Sequence, residues 1–150
     1  MFRHFLTPAF AVIFLASVTS APMTAVAAPL ITTEEAALPP LKGAVPNSAR
    51  GITRGPKIQV SEEGPRPSPL RFLVKFLTFG GSSIDLDALK VTYLKSPVVD
   101  LTARIKPFVQ ATGIDMPDAQ LPPGEHLVRV DIRDSEGRTS STSFLLKIAP

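Results

Sequence analysis

Apolar and polar residues alternate along two runs near the C-terminus, LPPGEHLVRVDIR from Leu121 and TSSTSFLLKI from Thr139, separated by Asp134-Ser135-Glu136-Gly137-Arg138. Successive side chains of a strand point to opposite faces. His126, Val128, Val130 and Ile132 therefore share one face with Thr142, Phe144, Leu146 and Ile148 of the second run. Leu127, Arg129, Asp131 and Arg133 share the other. The pattern predicts an antiparallel hairpin with one buried face.

Upstream the same period recurs in shorter pieces. Ile58 and Val60 alternate with Lys57 and Gln59 as a first strand, and Glu63-Gly64-Pro65-Arg66-Pro67-Ser68-Pro69 follows as a turn no helix crosses. Leu70 to Phe79 reads as a second strand with Phe72, Val74 and Phe76 on one side, ended by Gly80-Gly81-Ser82-Ser83. Asp85 and Asp87 favour one helical turn over Ile84 to Leu89, bringing Leu86 or Leu89 to the core edge. Leu89, Val91 and Tyr93 then alternate as a third strand. Ser96 to Val109 reads either as a crossover helix or as irregular structure. Asp100 is a possible cap, Leu101 and Ile105 have helical spacing, and Pro107 is the expected stop. Phe108 to Gln110 and Ile114 to Met116 are the weakest strands by pattern. Short strands spaced by Pro/Gly turns, with no long helix, predict an all-β antiparallel sandwich or barrel over 57–149. A domain of that size buries well over half of its unfolded surface.

The first 27 residues read differently. Arg3 and His4 precede an apolar run, and Ala25-Val26-Ala27 has the A-x-A form of a signal-peptidase site. Pro8, Ser17, Thr19, Ser20 and Pro22 interrupt the roughly 20 apolar residues a membrane-spanning helix needs, so a cleaved signal is expected rather than an anchor. No integral span is then expected after processing. Residues 28–56 are rich in Pro, Gly and Ala and read as a linker or arm, mostly disordered. Within it Thr32-Thr33-Glu34-Glu35 has a capping-box form, and a short helix over Thr33 to Leu38 would end at Pro39-Pro40. The chain has no cysteine, which excludes thiolate metal sites, cysteine nucleophiles, disulfides and a lipidated N-terminal cysteine. A periplasmic or secreted bacterial protein, not a lipoprotein, is the expected setting.

Charge narrows the partners. The formal net charge is +3, and removing Arg3 with the signal leaves fifteen basic against thirteen acidic residues, or +2. With no basic cluster and no aromatic stacking surface, nucleic acid is not expected as a partner.

Several segments together resemble bacterial Ig-like domains. They are Ser83-Ile84-Asp85, Leu89-Lys90-Val91-Thr92, Val99-Asp100-Leu101-Thr102, Leu121-Pro122-Pro123-Gly124-Glu125-His126 with its strand, and Asp134-Ser135-Glu136-Gly137-Arg138. The resemblance covers Pro56 to Ala149. It implies an Ig-like β-sandwich of the Ig, fibronectin-III and cadherin kind, in a family that shares no catalytic residues and serves as spacers, adhesion modules and appendages. This chain departs from the pattern in standing alone and in the long segment from Ser96 to Ile114.

Candidate chemistry is sparse. After processing His126 is the one histidine, in phase with Val128 and Val130, and reads as a core-edge side chain bonded to backbone. Ser140, Ser141 and Ser143 lack the Gly-x-Ser-x-Gly elbow of a nucleophile, so no enzyme is expected. Calcium asks only for oxygen ligands, and Asp85 with Asp87, Asp115 with Asp118, and Asp134 with Glu136 are weak candidates. Turn and cap roles explain the same residues, and no cofactor or metal is expected. Tyr93, in core phase and with no Trp in the chain, speaks against glycan binding. Leu94, Leu127 and Leu145 fall out of phase with the core. They would cluster on the outer face of a sheet, either covered by residues 30–41 or 96–114 or forming an interface. The expected function is an exported, non-enzymatic binding or structural module acting through that face or an edge strand, its partner another envelope protein or a second copy. The alternative is an accessory calcium- or glycan-binding domain.

Overall fold

The computed structural model describes residues 29–46, 55–61 and 64–150. The expected signal peptide lies outside the described residues, as do residues 47–54 of the expected arm. Eight strands form two antiparallel four-stranded sheets. One has the order β1 (Lys57–Val60), β2 (Leu70–Leu77), β6 (Gly113–Ala119), β5 (Val109–Gln110). The other runs β4 (Val99–Asp100), β3 (Lys90–Tyr93), β7 (Gly124–Arg133), β8 (Thr139–Ile148). The chain is an all-β sandwich. Among the described residues no helix is long and apolar enough to cross a membrane.

The inward phase of each strand builds the core. Phe72, Val74 and Phe76 of β2 and Ile114 and Met116 of β6 meet Val91 and Tyr93 of β3, Val128, Val130 and Ile132 of β7, and Phe144 of β8. Phe72 and Phe144 stack across the two sheets with ring centroids 6.1 Å apart. Burying one such side chain contributes about 1.5–3 kcal/mol. The hairpin register runs unbroken from Gly124↔Ile148 to Arg133↔Thr139. Of the two leucines offered to the core edge by the helical turn at Leu86–Ala88, Leu89 is buried and Leu86 stays exposed.

The segment 96–114 crosses between the sheets. Asp100 accepts from the Thr102 N–H, and α2 (Thr102–Ile105) follows, with Leu101 and Ile105 fully buried. Pro107 does not end this helix in the expected way. It sits inside a 3₁₀ turn, Lys106–Phe108, where a residue without an N–H is tolerated in the first positions. β6 is longer than its apolar core Ile114 to Met116 suggests, and it contains Pro117. Pro117 fits because the β2–β6 register slips between Leu70 and Phe72, so a residue without a ladder donor falls in the irregularity.

The N-terminal arm is the largest difference from the sequence reading. Leu30 and Ile31 belong to the core, and both backbone N–H groups donate to the Gln120 carbonyl. α1 (Thr33–Ala37) carries the expected capping box, with Thr32 accepting from Glu35 N–H and Glu35 from Thr32 N–H. Arg104 grips Glu35 through two bonds of 2.6 and 2.7 Å and also donates to the Leu30 carbonyl. Lys95 Nζ donates to the Ala36 carbonyl, and Pro40 bridges to Lys95 beyond β3. Composition measures only local propensity; two apolar side chains with a place in the core order this stretch despite it.

Candidate binding surface

The three out-of-phase leucines come together as one row across the outer face of the second sheet. Leu127 and Leu145 are direct partners in the β7–β8 ladder, and the Leu94 N–H donates to the Leu127 carbonyl at 2.9 Å. All three are half-buried and none packs against the core. The next row holds Thr92, Arg129 and Ser143, with Arg129 bonded to Asp131. The face is therefore apolar near one end and charged further along. The crossover 96–114 turns its apolar residues Leu101 and Ile105 inward, between the sheets. The arm reaches the Leu94 end, where the Leu41 N–H donates to the Leu94 carbonyl. The Leu145 end lies on β8, the outermost strand of its sheet.

The acidic residues considered for calcium mostly face arginines. Asp85 caps the turn at Asp87 and Ala88 and meets Arg133 at 2.5 Å, and this arginine holds its carboxyl below the ordinary range. Asp115 meets Arg71 at 2.5 Å with the same effect. Asp87 is exposed, 4.0 Å from Lys106, and Asp118 is exposed. Burial pushes Asp134 up, but the Arg138 guanidinium and the N–H groups of Arg138 and Glu136 outweigh it and leave the carboxyl lowered. Glu136 meets Arg138 at 2.6 Å. Among the described residues no group of three or more His, Asp or Glu converges on a point that a metal ion could occupy.

His126 is buried and bonded to backbone, the role its phase predicts. The Pro122 carbonyl, 2.8 Å from Nε2, can only accept, so Nε2 carries the proton and Nδ1 accepts from the Tyr93 hydroxyl at 2.9 Å. Burial pushes Tyr93 up to about 12, with the charge of Glu35 adding to it. Burial lowers His126; the Pro122 bond opposes this and the Lys95 charge assists it. The unfolded chain thus takes up a proton near pH 6.5 that the folded chain refuses until lower pH. The contribution is complete above the unfolded value and is lost as pH falls below it toward the folded pKa. Stability should then fall between pH 7 and pH 5 by at most about 1.4 kcal/mol per pH unit. Urea titrations across that range check this, and His126→Gln should flatten the slope. The arginine-held carboxylates act separately, below about pH 4.

A further feature had no signature in the chain pattern. β1 covers only the Val74–Leu77 half of β2, and the uncovered Leu70–Leu73 half faces the end of β8. Between them lies an open groove of about 470 Å³ lined by Val60, Leu70, Phe72, Leu145, Leu146 and Ile148, with Arg66, Arg71 and Lys147 at the same site. The mismatch in length between the two apolar runs was the one available signal. Searches of protein-family models, of curated proteins and of solved structures return no match to this chain.

Proposed function

We propose that this chain is an exported, non-enzymatic Ig-like module of the bacterial envelope that acts by protein–protein contact through the outer face of the β4-β3-β7-β8 sheet and its β8 edge. The strand orders β1-β2-β6-β5 and β4-β3-β7-β8 support the Ig-like reading, since they match the A-B-E-D and C′-C-F-G orders of that fold. The N-terminal segment and the lack of cysteine support export into a periplasmic or secreted setting.

The Leu94–Leu127–Leu145 row carries the functional reading. An apolar row on a sheet's solvent face, outside the core, is what an interface uses and what a monomer rarely leaves open. The calcium or glycan alternative has less to rest on. Its carboxylates would have to exchange arginine partners for the ion, and Tyr93, the aromatic a sugar would stack on, is fully buried.

A photo-crosslinking residue at Leu127 or Leu145, expressed in cells, should give a discrete adduct, whereas one at the exposed Lys106 should not. Leu127→Ser with Leu145→Ser should abolish the adduct formed from a probe at Leu94 while the melting temperature stays close to that of the parent. Loss of the cooperative melt would instead mean that these leucines hold the fold, and the surface reading would fail.

A further inference from the structure

β8 is an edge strand whose outward backbone groups can be identified. The Arg66 N–H donates to the Lys147 carbonyl and the Ala149 N–H to the Arg66 carbonyl, so residues 147 and 149 turn their groups away from β7. The β7–β8 register has no slip. By alternation Leu145, Ser143, Ser141 and Thr139 also point theirs outward. Among the described residues only Arg66, bridging to Ile148, pairs on this side; β1, the edge of the other sheet on the same flank, is laddered to β2 alone. Natural edges are usually blunted by Pro, charge or a bulge. From Thr139 to Leu145 there is no Pro, no charged residue and no bulge.

Resting on the interface reading above, and naming its partner, we infer that β8 pairs with β8 of a second copy, antiparallel about a two-fold axis near Thr142. Ser141 then lies opposite Ser143 of the second copy and Thr139 opposite its Leu145, all with outward backbone groups. Pairing stops where the Arg66 bridge begins, so it uses the available edge and no more. Charge favours a second copy over an unrelated strand. The end of β8 carries Lys147, half exposed and shared only with the exposed Glu125, beside Arg66. The start carries the turn with Glu136, also half exposed. Antiparallel pairing sets the Lys147 end of each copy against the Glu136 turn of the other, twice by symmetry, with a neutral Ser/Thr centre between. The two sheets join into one, continuous through β8.

Sedimentation velocity of the purified protein over a dilution series tests this. A reversible dimer is expected. Ser143→Pro removes an outward N–H that makes no bond to β7, a replacement edge strands tolerate, and should leave a folded monomer with unchanged far-UV dichroism. Lys147→Glu should weaken the dimer about tenfold, the scale of two exposed ion pairs, and adding Glu136→Lys should restore it. A monomer at every concentration overturns the inference, as does a dimer indifferent to both the proline and the charge reversal. If Ser143→Pro fails to fold, the charge-swap pair still decides. A monomer that keeps the Leu127 crosslink sinks self-pairing and leaves the interface reading standing; loss of both sinks both.

Discussion

Leu30→Ala should destabilise the protein by about 2–5 kcal/mol, the range for emptying a fully buried leucine site. The residue lies in a stretch whose composition argues for a tether, yet its side chain is completely buried and its neighbour Ile31 is nearly so. Truncation removes the transfer free energy of the side chain and leaves a cavity, and the surroundings are held by bonds that resist collapse. Arg104 links the Leu30 carbonyl to Glu35, and the Gln120 carbonyl accepts from both Leu30 and Ile31. Ile31→Ala should behave alike. Val45→Ala, at a residue 64% exposed in the same arm, should stay within about 0.5 kcal/mol. Urea unfolding reads all three, with the midpoint shifting at constant slope. Equal, small effects at Leu30 and Val45 would mean that the arm is not part of the packed unit.

Gly113→Ala should cost about 3 kcal/mol or more, from backbone contact rather than from lost packing. Gly113 opens β6 with φ +151°, and an added Cβ would sit 2.0 Å from the Val74 carbonyl oxygen and 3.1 Å from Lys75 Cα. These atoms belong to the β2 backbone that Gly113 pairs with through Lys75, so relief requires separating a ladder in the middle of the first sheet. Gly43 is the control. It too has positive φ, but nothing lies within 4 Å of its Cβ position, so Gly43→Ala should cost only the conformational penalty, about 1–2 kcal/mol. Thermal melts of the two variants separate the terms. Matching losses would contradict the close β2–β6 approach.

The legible parts of this chain are those in which a side chain's fate follows from its immediate neighbours. Alternation places Phe72, Val74 and Phe76, then Val128, Val130 and Ile132, on faces that are indeed buried. The capping box at Thr32 and the turn around Asp134 are equally local. His126 keeps its core phase and finds a backbone partner four residues away. The outer row of leucines was also legible, because being out of phase with a buried face is itself a periodic signal.

Alternation determined the all-β class, the hairpin, the inward residues and the row Leu94, Leu127 and Leu145, because a strand's period is a property of consecutive residues. Tertiary structure alone decided the order of strands, which strand is an edge, the docking of Leu30, and the partners of the charged groups. Arg71 finds Asp115 across 44 positions, Arg133 finds Asp85 across 48, and Arg104 finds Glu35 across 69. No local pattern encodes such pairs, since they exist only after the sheets have closed and set distant parts of the chain side by side. The edge of β8 is the same kind of fact: its residues were readable as a strand, but its open side appeared only when no other described strand took it.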